Sequence, residues 1–300
     1  MTENKYKMPF NHLISPGHSA CAGCGELLAM RHVLEAAGPN TIVANATGCS
    51  EVTTSQFPRS SFGVPWIHAD FENASSVSSG IDAALKHKGA RDGVNLIAWG
   101  GDGATYDIGI GLIFGMWERG EDVLYVCFDN EAYMNTGMQA SGATPLKSNT
   151  TTTPPGKESF GNELRKKDML DIALAHSCVY VGSATCGNLI DLQNKVKKAL
   201  KIKGPKYLQI LVSCVPGWYI DSKDTVKVAL LAQKTGLYPV VEYIDGKLTG
   251  KAAIAKPRLK VDEYLKLQGR FKHLFKDREG AAQIEEIQKV ANANIEKFGL

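Results

Sequence analysis

The strongest constraint in this chain is the alternation, along most of its length, of short apolar runs with segments of helical period. Strand-like runs at 41–46, 94–99, 122–128 and 207–212 are separated by helix-like stretches at 26–37, 74–88, 108–119 and 190–202. Strands with helices between them cannot pair as tight hairpins. They call for crossover connections, and hence for a mostly parallel sheet flanked by helices. The expected fold class is α/β. Three hundred residues with 44% hydrophobic content can bury one large domain of this kind with an appendage. We expect the α/β domain to occupy 1–222 and an extension to occupy 223–300, because the composition changes there. In that extension 225–236 and 281–298 read as amphipathic helices, 261–275 as a charged helix and 249–258 as a basic turn region. It reads as a helical C-terminal arm, either solvated or packed on another subunit. Segment 144–156 holds four consecutive threonines and three prolines, so it is expected to be a loop. No internal repeat is visible.

The charge balance is nearly even, with 34 basic and 31 acidic residues, and gives nucleic acid no support as a partner. No apolar run is long enough to span a bilayer, and 1–15 lacks the charged start and apolar core of an export signal. A cytoplasmic location is expected. Seven cysteines in a long chain of this kind point to reduced thiols or thiolate ligands rather than to a disulfide framework. Cys127, Cys178 and Cys186 lie in or beside apolar stretches and read as small buried residues.

Two constellations carry chemistry. The first is Trp99-Gly-Gly101-Asp102-Gly103-Ala104 at the end of a buried strand, with Asn130-Glu131-Ala132 at the end of the next one. A strand delivers Asp102 to the sheet's carboxyl edge, where open α/β folds bind ligands. Glycines let backbone N–H groups approach a phosphate, and a helix start favours negative charge. If the two strands are neighbours, Asp102, the side-chain oxygen of Asn130 and the carbonyl of Ala132 form an oxygen set of the kind Mg²⁺ prefers. Asp-Gly is also an ordinary turn former.

The second constellation is four cysteines. Cys21-Ala-Gly-Cys24-Gly is a tight pair, Cys49 stands in Thr47-Gly-Cys49-Ser, and Cys214 stands in Ser213-Cys214-Val215-Pro-Gly-Trp218. Each lies at a turn or strand end, so all four can converge on one sheet edge. Four thiolates suit a [4Fe–4S] cluster or tetrahedral zinc, and uncoordinated thiols satisfy the same spacing.

Gly-Asp-Gly followed by the Asn130 segment resembles the thiamine diphosphate motif of the transketolase-like superfamily, with Asp129-Asn130 standing where many members have Asn-Asn. In order along the chain, Cys-x-x-Cys-Gly, Thr-Gly-Cys, the 101–109 segment Gly-Asp-Gly-Ala-Thr-Tyr-Asp-Ile-Gly and the 130–141 segment Asn-Glu-Ala-Tyr-Met-Asn-Thr-Gly-Met-Gln-Ala-Ser resemble one family. It comprises the β subunits of pyruvate:ferredoxin oxidoreductases (pyruvate synthases) and related 2-oxoacid:ferredoxin oxidoreductases. Segments 64–68, 71–74, 143–145, 150–156 and 264–271 fit as well, so the resemblance runs from about residue 10 to 275.

The resemblance implies a thiamine-diphosphate-binding domain of the diphosphate type. It implies Mg²⁺ on Asp102, Asn130 and Ala132, and a [4Fe–4S] cluster on Cys21, Cys24, Cys49 and Cys214. Gly101, Gly103, Ala104 and Thr136 would contact the diphosphate, and Asn135 would lie near thiamine and substrate as the catalytic candidate. The implied reaction is CoA-dependent oxidative decarboxylation of pyruvate to acetyl-CoA and CO₂, with electrons passed through the cluster to ferredoxin. The implied partners are an α subunit with the pyrimidine-binding domain, γ and ferredoxin-like δ subunits, and ferredoxin. Only one α/β unit of the required kind is visible, which agrees with a site that another subunit completes. Around Cys214 the chain departs from the family pattern: Ser213 and Val215 replace Pro-Cys-Pro-like surroundings, a change that bears on potential or substrate choice.

Branched-chain 2-oxo acids, oxalate and aryl-glyoxylates are alternative substrates. A non-redox thiamine lyase or carboligase would explain Asp102 and Asn130 but leave the cysteines idle. A plain electron-transfer or zinc-structured subunit would do the reverse. His68 reads first as a satisfied buried histidine, and Glu51 and Glu72 as ordinary carboxylates.

Overall fold

The computed structural model describes residues 12–56 and 61–300, so most of the 1–15 stretch discussed above lies outside the described residues. Six strands run parallel: β1 (Thr41–Ala46), β2 (Trp66–Ala69), β3 (Asn95–Gly101), β4 (Leu124–Asp129), β5 (Tyr180–Thr185) and β6 (Lys206–Leu211). A hairpin of β7 (Val241–Ile244) and β8 (Lys247–Lys251) adds antiparallel to β5, giving the order β2-β1-β3-β4-β6-β5-β7-β8.

The period of two in the central strands explains the layers. In β4, Leu124, Val126 and Phe128 face one core with α1 (Gly25–Ala37) and α6 (Leu189–Lys201), on either side of the short α2 (Cys49–Val52) in sequence. Tyr125 and Cys127 face the other core with α3 (Ala74–His87), α4 (Ile110–Glu118) and α5 (Met169–Ala175). Cys127, Cys178 and Cys186 are buried, as their apolar surroundings predicted. A third core joins the end of β6 to the C-terminal elements α7 (Val215–Trp218), α8 (Thr225–Lys234), α9 (Asp262–Leu265) and α10 (Arg278–Phe298). Among the described residues, no helix is long and apolar enough to cross a membrane.

Several elements differ from expectation. The arm is not purely helical, because β7 and β8 extend the sheet, and the basic region 249–258 begins inside β8. The sequence hides this hairpin: β8 is almost wholly exposed, so it carries no apolar alternation. Segment 261–275 is not one helix. It breaks after α9 into a 3₁₀ turn at Gly269–Phe275, since a Cβ at Gly269 would sit 2.6 Å from Tyr219 Cβ and the chain turns there to bury Arg270. A π-helical turn at Gly103–Ile108 precedes α4, in place of a helix starting at 108.

Phe128 is fully buried and meets Trp99 edge-on at 5.5 Å. Phe128→Ala is expected to cost about 3–5 kcal/mol, read as a lowered urea midpoint. A cost below about 1 kcal/mol would contradict the placement of this core.

Candidate active site

Four neighbouring parallel strands, β1, β3, β4 and β6, end on the same edge of the sheet. Just past them stand Cys49, Asp102, Asn130 and Cys214. The pairing Gly101↔Phe128 makes β3 and β4 direct neighbours, so Asp102 and Asn130 emerge side by side. The Cys21–Cys24 turn is pinned to this edge from the other end of the chain. Gly25 N–H donates to Ser213 O at 3.1 Å, and a Cβ at Gly25 would sit 2.7 Å from Ser213 N. Only glycine permits that approach.

A cleft of about 150 Å³ opens at this edge, lined among others by Glu26, Cys49, Gly101, Asp102, Asn130 and Ala132. Asp102 is fully buried, and its Oδ2 accepts from the Ser141 hydroxyl. Asn130 donates through Nδ2 to Glu26 Oε2 at 3.2 Å. Asp102 Oδ1 and Asn130 Oδ1 have no hydrogen-bond partner among the described residues. Burial first, and then the neighbouring Asp129, push the Asp102 carboxyl well above the usual range, against Ser141 and Lys166. Two buried oxygens without donors are costly unless a cation completes them. This donor set fits Mg²⁺, a hard cation that takes oxygen ligands. At Gly103 a Cβ would lie 2.3 Å from Tyr133 Cε1, so a side chain there would collide with the ring that walls the cleft. Asn135 and Thr136 line the exposed mouth, where Thr136 Oγ1 donates to Gln139 Oε1 at 2.6 Å. The Ala104 side chain is buried in the core below, and the residue does not line the cleft. His68 is exposed rather than buried as expected, and pairs at 2.6 Å with Thr47, which lines the cleft.

The segment that carries Asn130 and Ala132 is held by a buried ion network. Glu131 adopts φ 69°, a left-handed conformation that favours glycine. Arg270 Nη2 lies 2.6 Å from Glu131 Oε2, and Lys166 Nζ lies 3.1 Å from Oε1 and 2.5 Å from Asp129 Oδ2. Burial alone would raise the Glu131 carboxyl; Lys166 and Arg270 overcome it and hold it low. Asp129, the departure from Asn-Asn, therefore has its own cation. Arg270 in turn stacks on Trp218, 4.0 Å from the ring centroid.

The four cysteines share one rim. Cys21 is exposed, while Cys24, Cys49 and Cys214 are half-buried. Burial pushes the Cys24 thiol up to about 12 and Cys214 to about 11, and it raises Cys49 as well, with Glu26 and the other three cysteines adding to the rise at Cys49. Thiols in such surroundings become thiolates only beside a positive centre. Among the described residues, no three His, Cys, Asp or Glu side chains are gathered closely enough to hold a single metal ion. Cys49 is within electrostatic reach of Cys21, Cys24 and Cys214, and four thiolates suit a [4Fe–4S] cluster or tetrahedral zinc.

Three residues of the site are not legible in the sequence. Ser141 reaches Asp102 from a loop. Arg270 arrives from the far end of the chain. Glu26 lies in the first turn of α1, where an acidic residue is unremarkable; in the structure, burial pushes its carboxyl up to about 7 against hydrogen bonds from Asn130 and Ser50.

Residues 46–210 match the family of thiamine pyrophosphate enzymes, C-terminal TPP binding domain. The chain is 50% identical over 287 residues to the pyruvate synthase subunit PorB of Methanosarcina barkeri, covering 96% of this chain and 97% of that protein. It is 44% identical to PorB of Methanocaldococcus jannaschii, covering 98% and 99%. The chain belongs to the pyruvate synthase PorB family. The ketoisovalerate oxidoreductase subunit VorB of Pyrococcus abyssi is 40% identical to this PorB-family chain, over 96% of it and 92% of the relative. Among solved structures, the 2-oxoglutarate:ferredoxin oxidoreductase from Magnetococcus marinus shares the fold, with a TM-score of 0.58 at 22% identity, covering 92% of this chain and 100% of that one.

Arg270→Leu would leave Glu131 one cation short in a buried network. It is expected to cost about 3 kcal/mol, read from denaturant unfolding, with Arg270→Lys restoring part of the loss. A loss below about 1 kcal/mol would show that the network does not hold the segment.

Proposed function

We propose that this chain is the β subunit of a pyruvate:ferredoxin oxidoreductase, acting in CoA-dependent oxidative decarboxylation of pyruvate with electrons passed through a [4Fe–4S] cluster to ferredoxin. The observation that carries the reading is the shared edge. Buried oxygens of Asp102 and Asn130 that lack donors and four cysteine thiols meet where four parallel strands end, and Cys49 lines the same cleft as Asp102 and Asn130. A non-redox thiamine enzyme has no use for the second group, and a plain electron carrier has none for the first.

In this reading Asp102, the Asn130 side-chain oxygen and the Ala132 carbonyl hold Mg²⁺. Backbone N–H groups at Gly101, Gly103 and Ala104, with the Thr136 hydroxyl, receive the diphosphate. Thiamine diphosphate, when bound, supplies the electron sink that makes loss of CO₂ from a 2-oxo acid possible. Ser141 fixes the Asp102 carboxylate so that its free oxygen points to the cation. Phe71 and Tyr133, whose rings meet edge-on at 5.9 Å, wall the cleft against water. Asn135 at the mouth is placed to donate a hydrogen bond to substrate. Cys21, Cys24, Cys49 and Cys214 hold the cluster within reach of the cleft, which keeps the electron's first step short. An α subunit supplies the pyrimidine-binding domain and substrate contacts, γ and ferredoxin-like δ subunits complete the complex, and the outer face of the C-terminal segment packs on a partner. Coenzyme A is the co-substrate, and the complex works in the cytoplasm.

A second reading places a branched-chain 2-oxo acid in the same chemistry. It is favoured by Ser213 and Val215 beside Cys214 and by the 40% identity to a ketoisovalerate oxidoreductase subunit.

Ser141→Ala is expected to weaken Mg²⁺-dependent thiamine diphosphate binding by about 10- to 100-fold, measured by calorimetry. Unchanged affinity would remove Asp102 from the metal site. For the reaction itself, the complex is purified without oxygen and its electron paramagnetic resonance spectrum recorded before and after adding pyruvate. A reduced-cluster signal that appears with pyruvate supports the first reading, and one that appears only with 2-oxoisovalerate supports the second. Bound zinc without iron would sink both.

A further inference from the structure

Asn130 is gripped from both sides by residues of the cysteine-bearing segments. Glu26 lies two residues beyond Cys24, at the start of α1, and is 5% exposed. Its carboxylate accepts the Asn130 Nδ2 hydrogen at 3.2 Å and the backbone N–H of Ser50, the residue after Cys49. Trp218 lies four residues beyond Cys214, at the end of α7, and its indole N–H donates to the Asn130 backbone oxygen at 2.8 Å. The segments that follow Cys24 and Cys214 thus meet at one residue past the end of β4, and the segment of Cys49 joins them through Glu26.

The chemistry of these contacts is directional. The two ends of an amide have nearly the same shape, and only their partners decide which points where. Asn130 turns its NH₂ end to Glu26 Oε2 and leaves Oδ1 without a donor among the described residues. Trp218 fixes the backbone of the same residue. Glu26 is where it is because α1 and α2 start where Cys24 and Cys49 sit, and Trp218 because α7 starts after Cys214. A group bound to Cys24, Cys49 and Cys214 would tie those three starts together.

We propose that Glu26 and Trp218 are positioning residues that couple occupation of the four-cysteine site to binding of Mg²⁺–thiamine diphosphate. The inference rests on the function proposed above and adds to it a link between the two cofactor sites. By linkage the effect is reciprocal: each cofactor raises the affinity for the other.

The test uses the assembled complex freed of thiamine diphosphate. Calorimetric titration with Mg²⁺ and thiamine diphosphate is run with iron in place, after oxidative removal of iron, and after rebuilding with iron and sulfide. In the wild type, affinity is expected to fall about tenfold when iron is removed and to return when it is restored. Glu26→Gln cannot accept from both donors with both atoms, so it should hold wild-type iron yet start about tenfold weaker and change little on iron removal. Trp218→Phe keeps the ring and loses the donor; it should act in the same direction and serves if the Gln variant fails to fold. Wild-type affinity that stays within about twofold on iron removal overturns the coupling, as does a variant that loses as much as the wild type. A complex that takes up neither iron nor thiamine diphosphate overturns the functional reading and the link with it.

Discussion

Everything at this site depends on β1, β3, β4 and β6 being adjacent and running the same way. Parallel neighbours bring their carboxyl ends to one edge, so residues as far apart in sequence as Cys49, Asp102, Asn130 and Cys214 arrive together. An antiparallel pair would send one of each two ends to the opposite edge. The cost of this arrangement is a sheet buried on both faces: every residue of β4 and β6 is buried, Asp129, Lys206 and Gln209 included. The antiparallel hairpin is confined to the far side of the sheet, beyond β5, where it does not disturb that edge.

The edge also concentrates polar groups that burial disfavours. Glu131 is paired through both oxygens with Lys166 and Arg270, and Asp129 pairs with Lys166 through Oδ2, whereas Asp102 and Asn130, which line the cleft, each keep one oxygen without a partner among the described residues. The ion pairs of Lys166 and Arg270 hold the left-handed Glu131 segment in shape beside the cleft. A cofactor that binds only the folded chain would stabilise it in proportion to its saturation.

Much of this was legible in the sequence, for physical reasons. Short apolar runs marked the central strands and the 3.6 period the flanking helices, and the glycines around Asp102 marked a backbone that must be approached closely. The four cysteines stood out because each sits at a strand end or turn. Contacts across the fold were not legible. Glu26 looks like any acidic residue in a first helical turn, Ser141 like a loop serine, and Arg270 like part of a charged helix. Their roles appear only when β4 ends between α1 and the turn that buries Arg270. The hairpin β7–β8 was hidden because an exposed edge strand needs no apolar pattern.

The most direct measurement is X-ray diffraction from crystals of the anaerobically purified complex, recorded on both sides of the iron absorption edge. The predicted result is an iron anomalous peak enclosed by Cys21, Cys24, Cys49 and Cys214, with thiamine diphosphate and an octahedral cation between Asp102 and Asn130 on the neighbouring strands. Four thiols with no iron among them, or a cleft whose ligand avoids Asp102 and Asn130, would contradict it.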